Sequence, residues 1–347
     1  MAKKSDLVYH GILSRLEEGF WKPGNQIYSE RQLAELYGVS RITVKQAISE
    51  LVGEGYLEYL DGRTGTFVVQ KNKSNATAPN NGFVVIALDN VSPAFASFLL
   101  EGIHDALWEK KFLLTYCNTM GQEPIVERIR DCLKSGAKGL IFSPLLDAAE
   151  TNKTILEMAE TWKIPVIQVD RFDERFDTSI VQGDNYRSMY DLGKKLLGKG
   201  YASPLLIDTD LPVSSTKERR AGICDSFGEQ HIPVSIITID ELGFVQNQTV
   251  TITKRESSHE THDVIIGVNG VASAAAVQLA KGQQKNIATA GISSSERESV
   301  NDFVIIQSLS TIGYDAGMLL AREIKNHPAP PTRMYVRGKF LDKTARR

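Results

Sequence analysis

The stretch IYSERQLAELYGVSRITVKQAISELVGEGYLEYLDGRTGT, Ile27 to Thr66, reads as two short helices followed by a β-hairpin. Ser29 is an N-cap residue, and Gln32 completes a capping box, each side chain satisfying an amide that the first turn leaves open. Leu33, Leu36 and Tyr37 form one apolar stripe, and Gly38 ends the helix in a tight turn. Ser40 caps a second helix, on which Val44, Ala47, Ile48 and Leu51 recur at helical spacing and face inward. Arg41 and Lys45, four apart, share another face and point outward. Gly53 and Gly55 end that helix. Tyr56 to Leu60, the turn Asp61-Gly62, and Gly65 to Val69 make strand, turn and strand.

Helix, turn, capped helix and hairpin together are the sequence form of a winged helix-turn-helix. Its chemistry suits double-stranded DNA. The amides at a helix N-terminus hold phosphate, so Ser40 and the turn it caps can grip the backbone. Arg41 and Lys45 can reach guanine edges or phosphates, and Thr43 and Gln46 suit either. Arg31 is placed to clamp a phosphate, and Gly62 and Arg63 at the hairpin tip can enter a minor groove. The competing reading is that Arg41 and Lys45 are only a solvated face. The stretch resembles the GntR family of bacterial regulators. The residues that carry the likeness are Pro23-Gly24, Ser29 to Ala34, Val39 to Ala47, Leu51 with Gly55, and Gly62 to Val68. Tyr28 stands where the family has proline, and Lys45 where it has arginine. The resemblance implies a DNA-binding domain over residues 1–70.

Bulk charge does not make that case. The 347 residues carry a net charge of -2, and the first 70 carry 8 Lys/Arg against 9 Asp/Glu, a difference of -1. Attraction to DNA must come from the placement of Arg31, Arg41, Lys45 and Arg63. At 42% apolar and 24% charged, the composition is that of a globular chain of two or three domains. No apolar run approaches the roughly 20 residues that span a bilayer. The N-terminus Met-Ala-Lys-Lys-Ser-Asp lacks a signal-peptide core, so a cytoplasmic protein without a membrane partner is expected. Cys117, Cys132 and Cys224 are widely spaced and read as reduced, mostly buried thiols.

Lys71 to Gly82, KNKSNATAPNNG, is polar and reads as a linker over residues 71–82. From Phe83 the rhythm becomes buried strand, helix, buried strand: FVVIAL at 83, LIFSP at 140, IPVIQVDR at 164, PLLID at 204, VIIGV at 264. Continuous apolar strands alternating with helices predict an α/β fold with parallel, doubly wound sheets covered on both faces. About 265 residues is long for one such sheet, so residues 83–347 are expected to form two lobes. The acidic and basic residues of 240–255 read as a solvated connection between elements.

Ligands of such sheets sit beyond the carboxyl ends of the strands. Those ends carry Asp89-Asn90, Ser143-Pro144, Asp170-Arg171, Asp208, Asn269 and Ser293. Short polar groups with a guanidinium fit a neutral polyhydroxyl ligand better than a phosphate. This half resembles the effector domain of the lactose/galactose repressors and the periplasmic sugar-binding proteins. The likeness rests on EGIHDAL at Glu101 to Leu107, GAKGLIFSP at Gly136 to Pro144, IPVIQVDR at Ile164 to Arg171, VQGDN at Val181 to Asn185, RRAG at Arg219 to Gly222, and VNG at Val268 to Gly270. It implies a two-lobed periplasmic-binding-protein-like domain whose cleft is lined by Asp170, Arg171, Arg219 and Asn269, with Asn90, Phe95 and Ser293 as further candidates from the strand ends. Gly270 and Ser293 stand where the family has aspartates, so two cleft carboxylates are missing.

Alternatives attach to these residues. Asp170-Arg171 could be a surface ion pair, Arg219 could yield to Arg220, and Asn269 could cap the next helix. Phe98 and Trp108 have the spacing of core residues. His259-Glu260-Thr261-His262 has its histidines three apart rather than the four of a zinc helix. No phosphate loop, nucleophile-base pair or dinucleotide fingerprint is present, so neither cofactor nor catalysis is expected. The whole reads as a homodimeric DNA-binding regulator, a repressor that a monosaccharide such as arabinose or fucose releases from its operator. A ligand that tightens DNA binding, as for a corepressor or an activator, is the competing mode.

Overall fold

The computed structural model describes residues 4–17, 20–22, 24–60, 64–69, 81–88, 93–118, 125–146, 148–211, 213–256, 261–282 and 287–344. Two compact units divide the chain, Met1–Ala78 and Pro79–Arg347. Of the expected linker, residues 71–80 lie outside the described residues, as do Gly62, Arg63, Asp89 and Asn90.

The smaller unit is built on α1 (Lys4–Glu17), α2 (Glu30–Tyr37), α3 (Arg41–Gly53), β1 (Leu57–Glu58) and β2 (Phe67–Val68). The capping box at Ser29 and Gln32 forms on both sides, and Gly38 adopts the left-handed conformation that ends α2. Val8, Ile12, Leu33, Val44, Ala47, Ile48, Leu51 and Leu57 make one core. Leu36 is about half exposed, against expectation. A helix of eight residues meets its neighbours over one turn, and Leu33 takes that contact. The wing also gains a strand-like segment that the sequence pattern does not show. Ile27 donates to the Thr66 carbonyl at 2.9 Å, and Val68 donates to that of Asn25 at 2.9 Å.

The larger unit holds two parallel sheets. The first lobe starts with β3 (Phe83–Leu88), α4 (Pro93–Glu109), β4 (Leu113–Asn118), α5 (Ile125–Lys134), β5 (Leu140–Phe142), α6 (Ala149–Thr161), β6 (Val166–Val169) and β7 (Ser179–Gly183). The second lobe comprises α7 (Asn185–Gly198), β8 (Pro204–Thr209), α8 (Ser214–Gly228), β9 (Ser235–Ile239), α9 (Glu241–Asn247), β10 (Ile252–Glu256), β11 (Val264–Gly267), α10 (Gly270–Lys281), β12 (Ala288–Ser293) and β13 (Phe303–Ile306). The chain then returns with α11 (Leu309–Asn326) and β14 (Arg333–Val336) to the first lobe, and ends with β15 (Lys339–Asp342) in the second. The strand orders are β14-β7-β6-β5-β3-β4 and β10-β9-β8-β11-β12-β13-β15. Only β10 and β15, at the two edges of the second sheet, pair antiparallel within these sheets.

Residues 240–255 are therefore not a solvated connection but include α9 and most of an edge strand. The chain passes between the lobes near Asp184, Ser308 and Arg337, and these passages are tied together. Asp184 donates its amide to the Val336 carbonyl at 2.8 Å, and the Ser308 hydroxyl donates to the Arg337 carbonyl at 2.8 Å. Two glycines of the family motifs serve packing. A Cβ on Gly102 would overlap the Ser310 carbonyl where α4 meets α11, and one on Gly222 would overlap the Tyr186 carbonyl where α8 meets α7. Trp108 is half exposed rather than core, and stacks on His104. On α4, Ile103, Ala106 and Leu107 take the buried face, and Trp108 falls on the next one. Phe98 is also exposed. Of the three cysteines only Cys117 is fully buried, and none forms a disulfide.

Candidate functional site

The outward face of α3 carries Arg41, Ile42, Lys45 and Gln46, all exposed. Ser40 caps the helix by accepting from the Thr43 amide at 3.2 Å, and its hydroxyl also bonds that of Thr43 at 2.9 Å. The Glu30 carboxylate lies 3.5 Å from the Arg41 guanidinium, both partly exposed, so the pair steers the arginine more than it stabilises the fold. Arg31 is exposed beside Glu30 at the start of α2.

In the larger unit, a cavity of about 430 Å³ is lined by Phe95, Asp170, Arg171, Arg219, Asn269 and Ser293 among others. All six described candidates for the ligand cleft thus meet at one cavity. Residues of both lobes contribute. Asp170 and Arg171 follow β6 at its carboxyl end, and Asp170 holds a left-handed backbone with φ of 65°. Aspartate tolerates that conformation at low cost, and here it turns consecutive side chains toward the cavity. They are not a surface pair: their side chains are 15% and 7% exposed. Arg171 Nε donates to the Ser143 hydroxyl at 3.3 Å, which fixes the fork.

Arg219, on α8, is buried, and Arg220 is not its substitute. Arg220 turns to Asp208 at 3.1 Å and Glu256 at 3.2 Å, around a separate cavity, so Asp208 leaves the inventory of cleft residues. Arg219 Nε donates to Asn185 Oδ1 at 2.8 Å, and Nη1 to the Val268 carbonyl at 3.3 Å. Asn185 Nδ2 in turn donates to Glu218 at 3.0 Å, so the amide stands between a cation and an anion with its orientation set. Burial holds the Arg219 guanidinium below its ordinary range, opposed by the carboxylates of Asp170 and Glu218. The family motif VQGDN thus serves Arg219: Asp184 caps α7 and Asn185 positions the arginine.

Asn269 does both things its position allows. Oδ1 accepts from the Ala272 amide at 2.8 Å and caps α10, while Nδ2 donates to Glu241 Oε2 at 3.0 Å. Ser293 lines the cavity, but its hydroxyl donates to the Ser295 carbonyl at 2.9 Å. Glu241, Leu242 and Val245 of α9 also line the cavity and were not among the sequence candidates. A signal for them exists. SIITI at 235–239 is a β-branched run ended by Asp240-Glu241, and treating it as a strand puts Glu241 at a carboxyl end like the other candidates. Glu241, tied to Asn269, supplies a carboxylate to the cavity that Gly270 and Ser293 also line, the two positions at which the resemblance expects aspartates. The cavity then presents two guanidiniums, Arg171 and Arg219, and two carboxylates, Asp170 and Glu241, over walls that include Phe95, Leu242 and Val245. That set is charge-balanced, with acceptors and donors for hydroxyls and an apolar side. His259 and Glu260 lie outside the described residues, and no metal-holding cluster occurs among the described ones.

Two lobes joined by three tied passages around a polar cavity define a two-lobed ligand-binding domain of the periplasmic-binding type. Residues 80–315 match the family of periplasmic binding proteins and sugar binding domains of the LacI family, and the chain belongs to it. Residues 4–68 match the bacterial regulatory proteins of the gntR family. A LacI family transcriptional regulator from Enterococcus faecium, solved with bound ribose, superposes with a TM-score of 0.58 at 16% identity, over 75% of this chain and 97% of that one. That likeness is one of fold. Among sequence relatives, an arabinose metabolism transcriptional repressor of Halalkalibacterium halodurans is 27% identical over 207 residues, 58% of this chain and 54% of the relative. Another, of Geobacillus stearothermophilus, is 31% identical over 140 residues, 40% and 37% of the two chains. The match therefore spans about half the length of the first relative.

Proposed function

We propose that this protein is a transcription regulator that represses carbohydrate-utilisation genes and leaves its operator when a monosaccharide occupies the cavity of the larger unit. The observation that carries the reading is the charge-balanced cavity of about 430 Å³ in a chain that also matches a DNA-binding regulator family. Arg31, Ser40, Arg41, Thr43, Lys45 and Gln46, with Gly62 and Arg63 of the wing, bind operator DNA. Phe95, Asp170, Arg171, Arg219, Asn269 and Ser293, with Asn90, bind the sugar. Carboxylates accept from its hydroxyls, guanidiniums donate to them, and Phe95 covers an apolar ring face. The names of the relatives favour arabinose, and the apolar wall also suits a deoxyhexose such as fucose.

Few phosphate contacts per winged helix give weak binding alone, so the protein acts as a symmetric homodimer on two half-sites. The sugar acts by linkage. It closes the lobes, and the closed form holds two winged helices at a spacing the operator fits less well. The protein works in the cytoplasm and performs no chemistry on the sugar. A gel-shift titration on DNA flanking its own gene tests this, with L-arabinose, D-fucose, D-galactose and D-ribose as ligands. Release by arabinose or fucose is expected. Tightening would overturn the induction sense, and indifference to every sugar would overturn the effector assignment.

A further inference from the structure

Ile42 is the most exposed large apolar residue among those described, at 82%. It stands in the first turn of α3, directly after Arg41, on a face whose other members are Lys45, Gln46 and Ser49. The helix already has a complete buried face in Val44, Ala47, Ile48 and Leu51, so Ile42 adds nothing to the core. A single exposed apolar side chain is ordinary on a protein surface. This one, however, is β-branched in an exposed turn where straight-chain residues are better helix formers, and it sits among Arg41, Lys45 and Gln46, the exposed side chains assigned above to operator binding.

An isoleucine can neither donate nor accept a hydrogen bond, so it cannot read guanine, cytosine or adenine edges. The one apolar feature that bases present in the major groove is the C5-methyl group of thymine. First-turn residues of a recognition helix are those that meet base edges. Arg41, steered by Glu30 at 3.5 Å, supplies the polar reading next to it. We propose that Ile42 reads a thymine methyl in each operator half-site, making it a specificity-determining residue. This rests on the DNA-binding reading above.

The test uses the full-length protein and duplexes selected from a random-sequence pool, titrated at one fixed salt concentration. Each thymine of the recovered sequence is replaced singly by deoxyuridine, which removes only the methyl. One thymine per half-site is expected whose replacement weakens wild-type binding about fourfold, the worth of one buried methyl-sized group. Ile42→Ala, at an exposed position and with a better helix former, should keep the thermal midpoint and bind thymine and deoxyuridine duplexes alike. Arg41→Ala should weaken both duplexes equally and keep their ratio. Wild-type indifference to every replacement, or an unchanged deoxyuridine penalty in Ile42→Ala, would overturn the assignment of Ile42. Recovery of no sequence at all would overturn it together with the DNA-binding reading.

Discussion

Replacing Asn269 in turn by serine, alanine and aspartate separates its two roles. Its Oδ1 caps α10 through the Ala272 amide at 2.8 Å, and its Nδ2 ties Glu241 at 3.0 Å. Serine keeps a cap acceptor and loses the tie. Alanine loses both, and the cap alone is worth about 1 kcal/mol. Aspartate keeps the cap and gains about 0.3–1 kcal/mol from the helix dipole, but faces the Glu241 carboxylate at close range. At about 4 Å and an effective dielectric near 20, that repulsion is about 4 kcal/mol before either group moves or takes a proton. The order of stability at pH 8 should therefore be wild type, serine, alanine, with aspartate last. The aspartate variant carries a pH signature. Repulsion raises the folded-state pKa of the introduced carboxyl above its unfolded value of about 4. Its deficit is then absent below about pH 4 and grows as pH rises through the raised value. Thermal denaturation at pH 5 and pH 8 reads this, and calorimetric titration with L-arabinose reads the cavity. Loss of the tie frees Glu241 and should weaken sugar binding about tenfold in the serine variant, equivalent to about 1.4 kcal/mol. Three results would refute the reasoning: a serine variant as unstable as alanine, an aspartate variant indifferent to pH, or serine binding sugar like wild type.

Two further outcomes follow from packing and burial. Gly102→Ala places a Cβ onto the Ser310 carbonyl between α4 and α11, which must separate; a loss of about 1–3 kcal/mol is expected in denaturant titration, and an unchanged midpoint would contradict the helix contact. Glu323 is buried in the first lobe, where it accepts from the Ser179 hydroxyl, and burial pushes its carboxyl up. A raised carboxyl favours folding at low pH and opposes it as pH rises through the folded value, so Glu323→Gln should raise the thermal midpoint at pH 8 and leave it unchanged near pH 4.

Where structure is set by neighbours in the chain, the sequence was a sufficient guide. The capping box at Ser29 and Gln32, the left-handed Gly38 and the Ser40 cap are contacts within four or five residues, and each forms as its residue types require. The buried strands were legible because a parallel sheet covered on both faces must be apolar at nearly every position. Asp170, Arg171 and Asn269 could be named because strand ends converge in such sheets, whereas Arg219, inside α8, was implied only by the resemblance of its RRAG motif. Glu241 could not, because residues 240–255, which hold a seven-residue helix and most of an edge strand, have the charged composition of a solvated connection.

The amino-acid order by itself thus determined the class of each unit and named six of the residues that line the cavity of the larger one. Only the tertiary structure decided that the last two strands join different lobes, that three passages are bound together, and that Asn185 and Glu218 hold Arg219 in place. Those decisions rest on pairings between residues 29 to more than 150 positions apart. No local periodicity encodes such a pairing, because its free energy exists only when the segments between have already packed.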